Sequence, residues 1–250
     1  MRSGWYNDSY RHSLASRGVS TAMRSKYKIP PAWKDVKLHK DKAYIATGVD
    51  AKGRLQYIYP KSHVARQSEK KYGRVERLEK QAPAIIESVK QDIAKENNPE
   101  AEVVYTIYKT AFRPGTEKDT MADQKAYGAS SLLRRQVKVK GDKVTFKFIG
   151  KKGVQINKTV RDKLLAKIMK GRKSGDRVFD TSDSQLNSYF KKKTDGRYTL
   201  KDLRTLRAHQ IAKKGGGDKK VIGQRVSAEL GNTPAVAVKS YVDPELLSDD

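Results

Sequence analysis

Positive charge spread along the whole chain is the feature that most limits what these residues can build. Lys and Arg number 54 against 28 Asp and Glu, a formal net charge of +26 over 250 residues. Like charges repel, so each folded unit must put its cations at the surface and draw its core from the apolar residues between them. Hydrophobic residues make up 36% of the chain and charged residues 33%. That is polar for a globular protein, yet Val, Ile, Leu, Phe and Tyr recur in periodic blocks, which argues against disorder throughout. The length fits one large domain or two smaller ones. A folded body this basic most simply meets a polyanion, so nucleic acid is the expected partner. A merely soluble basic surface is the bland alternative.

Several chemistries drop out. The chain has no Cys, hence no disulfide framework, no thiolate metal site and no Cys nucleophile. His12, His39, His63 and His209 lie far apart without metal-ligand spacing, so no metal is expected. No apolar run approaches the roughly 20 residues of a membrane span, and no signal-peptide core is present. No Gly-rich phosphate loop of the P-loop type occurs.

Local patterning divides the chain. Residues 1–28 are basic and nearly acid-free, which suits a phosphate-tracking arm or short helix; an organelle transit peptide is the alternative. Pro30-Pro31 breaks any helix. Val36 and Leu38 alternating with Lys37 and His39, the run Tyr44–Thr47, and Leu55–Tyr59 after an Asp50–Gly53 turn predict a small antiparallel sheet. From Ser62 the period becomes helical. Leu78, Ala82, Ile86, Val89 and Ile93 share a face, with Pro83 expected to open a new helix and Asn97-Asn98-Pro99 to stop it. Val103–Phe112 forms another helical face. Val137, Val139, Val144, Phe146 and Phe148 alternate with Lys and Thr around Gly141-Asp142, a hairpin with one apolar and one basic face; a third strand is expected near Val154–Val160. Helices are expected from Leu164 to Gly171 and at 182–193, 199–213 and 221–230. The predicted class is α+β, with an arm (1–28), a β-rich unit (29–75) and a mostly helical unit carrying one three-stranded sheet (76–250).

Without metal ligands, phosphoryl chemistry must use cationic side chains and a protein nucleophile. Arg grips two phosphate oxygens at once. Lys can donate a proton when neighbouring cations lower its pKa, and a Tyr phenolate can attack phosphorus. With 54 cations and 13 Tyr, residue type alone selects nothing.

Flanking sequence does select. Lys28-Ile29-Pro30-Pro31-Ala32-Trp33, Ala46-Thr47-Gly48-Val49-Asp50-Ala51-Lys52-Gly53-Arg54-Leu55-Gln56-Tyr57-Ile58-Tyr59, Phe112-Arg113-Pro114-Gly115, Phe148-Ile149-Gly150-Lys151, Lys201-Asp202-Leu203-Arg204-Thr205, Leu230-Gly231-Asn232-Thr233-Pro234-Ala235-Val236 and Lys239-Ser240-Tyr241 occur in this order. Together they resemble the type IB DNA topoisomerases, specifically the compact poxvirus and bacterial branch. The resemblance implies that Tyr241 attacks a backbone phosphorus to form a 3′-phosphotyrosine. Arg113 and Arg204 would bind the non-bridging oxygens, and Lys151 would protonate the departing 5′ oxygen, with Lys152 the competing candidate. Asn232 stands where poxvirus-like members carry His and would act as a neutral donor. Gln56, Tyr57 and Tyr59 match DNA-contacting positions, although alternation puts Gln56 on the opposite strand face. Arg134 and Arg135 are candidate phosphate contacts.

Since transesterification trades one phosphodiester for another, the resemblance implies relaxation of supercoiled double-stranded DNA without ATP, metal or other cofactor. It further implies a monomer clamping the duplex, DNA-associated in a bacterium, an infected cell or a virion. A tyrosine recombinase is the nearest alternative, but such enzymes usually have His where Lys201 stands. A non-enzymatic basic DNA-binding protein is the other; it offers no reason for Arg113, Lys151, Arg204 and Tyr241 to occur in these settings.

Overall fold

The computed structural model describes residues 19–95, 98–116, 120–121, 125–171 and 176–248. Most of the expected N-terminal arm, residues 1–18, lies outside them. The chain divides into two compact units, Met1–Lys70 and Lys71–Asp250.

The first unit opens with a short helix, α1 (Thr21–Lys26), capped by the Ser20 hydroxyl accepting from the Met23 N–H. Strands β1 (Lys34–Leu38), β2 (Ala46–Val49) and β3 (Leu55–Ile58) then form an antiparallel sheet in that order. β2 starts later than the Tyr44–Thr47 run suggests, although Ile45 still bonds through its backbone to His39 and Ile58. Asp50 organises the β2–β3 turn. One carboxylate oxygen accepts from the Lys52 and Arg54 backbones, and the other accepts from the Arg54 and Gln56 side chains. The Arg54 side chain is the main reason that the Asp50 carboxyl lies at about 2. Gly48 is required where Trp33 crosses β2, because a Cβ there would come within 2.8 Å of the indole.

The division between the units falls inside a 34-residue helix, α2 (Lys61–Ala94). Pro83 was expected to open a new helix, but α2 runs through it. Proline removes a donor and crowds the preceding turn. Here Val75, Leu78, Ala82, Ile86 and Val89 keep one buried stripe in register across it, and that burial outweighs the local cost. α2 ends at Ala94, just before the expected Asn97-Asn98-Pro99 stop; Pro99 also opens the next helix, α3 (Pro99–Thr110), where its missing N–H is harmless, and Asn98 caps that helix by accepting from the Ala101 N–H.

The second sheet is antiparallel in the order β4 (Val137–Lys140), β5 (Lys143–Ile149), β6 (Gln155–Arg161). Val144, Phe146 and Phe148 point into the core, and Phe112 packs edge-on against both phenylalanine rings at 5.1 and 5.0 Å. Helices α4 (Lys163–Lys170), α5 (Asp183–Lys193), α6 (Leu200–Lys213), α7 (Lys219–Leu230) and α8 (Pro234–Tyr241) complete the unit. α6 is buried on several sides, with Asp202, Arg204 and His209 inside as well as its leucines. A large core joins α2, α3, the sheet and α4–α6. A smaller one holds Ala208, Ile222, Val226, Leu230, Ala237, Tyr241 and Val242. The α+β class with two three-stranded antiparallel sheets is the one expected.

Candidate active site

Tyr241 is the last residue of α8 and only 4% exposed. Its hydroxyl accepts from Arg204 Nε at 3.3 Å, and the guanidinium carbon lies 5.3 Å from the ring centre. Arg204 is itself buried and fixed. Its Nη1 donates to the carbonyl of Ala111, just past α3, and its Nη2 to that of Leu230, the last residue of α7, at 2.5 Å. A guanidinium has five N–H donors; these three bonds leave two for an incoming anion.

A second cation reinforces this closure. Lys158 on β6 donates to the carbonyls of Thr110 and Glu229, each one residue before an Arg204 acceptor, and pairs with the Glu229 carboxylate at 3.0 Å. Burial lowers the pKa of Lys158 despite that partner. The end of α3 is thus held against the end of α7 by two cations in adjacent registers.

Arg113 follows directly from the α3 terminus. Ala111 there adopts a left-handed conformation with φ 54°, ending the helix and turning the chain. The Arg113–Gly115 backbone then runs against residues 128–131, with Ala129 N donating to Arg113 O at 2.8 Å and Ser130 N to Pro114 O at 2.7 Å. Gly128 permits this approach; a Cβ on it would overlap the Gly115 backbone and lie 2.7 Å from Arg113 O.

Lys151 occupies the β5–β6 connection, a tight turn in which Gly150 N bonds Val154 O at 2.7 Å. Lys152 sits at φ 64° and Gly153 at φ 75°. Both lysines are exposed, but Lys151 lines two adjoining clefts. One is walled by Phe112, Arg113, Tyr127, Phe148, Lys151, Arg204 and Gly231 among others; the second by Arg113, Tyr127, Lys151, Asp183, Asn187, Lys201, Arg204 and Tyr241 among others. Arg113, Lys151, Arg204 and Tyr241, up to 128 positions apart in the chain, therefore meet around one opening. Lys152 lines neither cleft.

The electrostatics suit an ionising phenol. Burial alone would raise the Tyr241 pKa; the charges of Arg204 and Arg113, the Arg204 hydrogen bond and Lys201 outweigh it, so the phenol titrates below its ordinary range. For Arg204, burial is the largest influence and lowers its pKa, with Tyr241 opposing.

The other expected residues lie elsewhere. Asn232 sits in the α7–α8 turn outside the cleft walls, and both its buried side-chain polar atoms lack a hydrogen-bond partner. Arg134 and Arg135 occupy the short turn before β4, the first half-buried and the second exposed, and line neither cleft. Gln56, Tyr57 and Tyr59 belong to the first unit. Tyr57 and Tyr59 are both 41% exposed on one face and 6.2 Å apart between ring centres, whereas Gln56 is half-buried and bonded to Asp50. Residue-level reading missed Lys158, Tyr127, Asp183 and Gly128. Nothing in their flanks marks them, because each is brought to the site by parts of the chain distant in sequence. Lys201 was recognisable as part of its block, though not as a cation acting on Tyr241. Among the described residues, no helix is long and apolar enough to cross a membrane, and no group of three or more His, Asp or Glu side chains is placed to hold a metal ion.

Comparison with known proteins agrees with this architecture. Residues 61–215 match the family model for the catalytic core of eukaryotic DNA topoisomerase I, a span that contains Arg113, Lys151 and Arg204 and stops before Tyr241. The chain is also similar to a DNA topoisomerase 1B of Acanthamoeba polyphaga mimivirus, 27% identical over 257 residues covering 87% of this chain and 76% of the viral protein. With the family model spanning more than half of its length, this chain belongs to the type IB DNA topoisomerases, isomerases that act on DNA.

Proposed function

We propose that the protein relaxes supercoiled duplex DNA by cutting and resealing one strand through Tyr241. The observation that carries this reading is the Tyr241 phenol bonded to a buried guanidinium in a cleft wall shared with Arg113 and Lys151. The Tyr241 phenol first gives up its proton to solvent; the phenolate oxygen attacks a backbone phosphorus as the bond from phosphorus to the 5′ oxygen breaks, and Lys151 delivers a proton to that 5′ oxygen. The tyrosine becomes joined to the 3′ phosphate. Arg113 and the two remaining N–H groups of Arg204 bind the non-bridging oxygens, where negative charge gathers in the transition state. Asn232, a neutral donor with nothing bonded to its amide, contributes once DNA reaches the turn it occupies. Attack by the 5′ hydroxyl reverses the reaction, with Lys151 taking the proton back. One phosphodiester replaces another at each step, so the chemistry calls on neither ATP nor metal.

Torsion is released while the tyrosyl link persists and the free end turns. The β-rich part, expected at residues 29–75, serves as the DNA clamp up to the division at Lys70, and the second unit, from Lys71, serves as the catalytic part of a monomer. The exposed Tyr57 and Tyr59 face contacts DNA, Gln56 contributes from the opposite face of the strand once it leaves Asp50, and Arg134 and Arg135 anchor phosphates. The protein works wherever its DNA lies, in the cytoplasm of a bacterium or infected cell.

The test is relaxation of a supercoiled plasmid in EDTA, with denaturant trapping of the covalent adduct and peptide mapping of the linked residue. Tyr241→Phe is expected to abolish relaxation and adduct while retaining DNA binding. An adduct on another tyrosine, or no relaxation by the wild type, would overturn the assignment.

A further inference from the structure

The turn of α2 containing Lys71 and Tyr72 holds the backbone on both sides of Tyr241. Lys71 Nζ donates to the carbonyl of Ser240 at 2.7 Å and to the Tyr72 hydroxyl at 3.0 Å. The Tyr72 hydroxyl in turn donates to the carbonyl of Val242. Ser240 and Val242 are the two neighbours of Tyr241, and α8 ends between them: Val242 has left the helical conformation, with φ −97° and ψ 136°. The last carbonyls of a helix have no partner within it. Water or any surface side chain satisfies them in most helices; here a buried tyrosine, 4% exposed, and a half-buried lysine reach them from a segment some 170 residues away.

The same turn reaches the other half of the site. Arg74 pairs with Asp202 at 2.9 Å, and the second oxygen of Asp202 accepts from the Thr199 backbone and hydroxyl at the start of α6. Arg204 lies two residues further along that helix. One turn of α2 therefore fixes both the helix that bears the guanidinium and the segment that bears the phenol. Burial pushes the Tyr72 phenol up, so it stays a protonated donor to Val242.

We propose that Lys71 and Tyr72 are positioning residues for the reaction, holding the Ser240–Val242 backbone so that the Tyr241 oxygen faces Arg204 and the bound phosphate. This rests on Tyr241 being the nucleophile. Neither residue touches DNA at the reacting atoms; both act through the peptide units flanking Tyr241. Reaction rates are steep in such placement, and a displacement of about 1 Å can cost on the order of 100-fold.

The experiment uses the full chain with enzyme in excess over plasmid, measuring the rate of trapped adduct, the linked residue, DNA affinity at fixed salt and the thermal melt. Tyr72→Phe removes one oxygen and keeps the ring; Lys71→Met keeps the stem and removes the donor. Each is expected to slow adduct formation by about 10-fold or more while DNA affinity changes by less than about 2-fold. The double variant is expected to be about as slow as the slower single one, because Lys71 also bonds Tyr72. Lys71→Arg, which retains a cationic donor, is expected to recover most of the lost rate, a rescue that simple loss of packing would not give. Wild-type rates in both Tyr72→Phe and Lys71→Met, with the adduct on Tyr241, would overturn the proposal while leaving the nucleophile in place. An adduct on a different tyrosine would instead overturn the nucleophile assignment. Should Lys71→Met fail to melt cooperatively, Tyr72→Phe decides.

Discussion

A phenol buried to 4% exposure is ordinarily a poor acid, yet Tyr241 is displaced toward ionisation because three cations face it. The sign gives a test. Adduct formation is expected to rise with pH until the phenol is ionised, and that rise should come below the range of a free tyrosine. Arg204→Gln removes the largest of the opposing charges, so its rising limb should move to higher pH, and at neutral pH its rate should fall by about 100-fold or more. A pH-rate profile with an unmoved limb would show that the guanidinium does not act on the phenol. Gly128 offers a test of a different kind. Gly128→Ala forces the Arg113–Gly115 backbone aside, and adduct formation should drop by at least about 10-fold in a protein that still binds duplex DNA. Adduct formation at the wild-type rate would mean that the strand shifts without carrying Arg113 with it. The four residues around the cleft were legible from their flanking sequence. The anchoring of Arg204 to Ala111 and Leu230 was not, because hydrogen bonds to backbone carbonyls leave no mark on the identity of the acceptor.

Among the elements, those with strict alternation were the most legible. β4 and β5 match the Val, Phe and Lys pattern because one face is buried and the other solvated, and the turn at Gly141 needs a left-handed φ of 62°. α2 was harder, since a proline normally ends or bends a helix and only tertiary burial decides otherwise. α6 was visible as a helix, but not as one buried on several sides, because its polar residues Asp202, Arg204 and His209 are inside. One cap can be tested alone. Asp162 accepts from the Leu165 N–H at the start of α4, from the Tyr105 hydroxyl, and pairs with Lys109 at 2.7 Å. Burial works against its ionisation, but Lys109, the Leu165 N–H and Tyr105 outweigh it and its pKa is lowered. A lowered carboxyl stabilises the fold above its unfolded value, about 3.9, and loses that contribution as pH falls through the folded value. Asp162→Ala is therefore expected to cost about 1–2 kcal/mol in urea unfolding at neutral pH, with the difference from wild type shrinking in acid. A constant difference across pH would assign the loss to packing instead.

For the molecule as a whole, the formal charge of +26 sets how it meets its substrate. Phosphate contacts release counterions, so duplex affinity is expected to fall by about 1,000-fold or more between 50 and 200 mM salt, linearly on logarithmic axes. A shallow salt dependence would contradict binding through many phosphates. The wiring of Arg204 has a further consequence. One guanidinium closes on Ala111, Leu230 and Tyr241, partners 93, 26 and 37 positions away. A polypeptide emerging from the ribosome has its basic strands and helices long before those three points can converge. On the proposed chemistry, a copy in which those three points have not converged lacks a fixed guanidinium beside the phenol, and cutting is limited to molecules that have completed their own assembly.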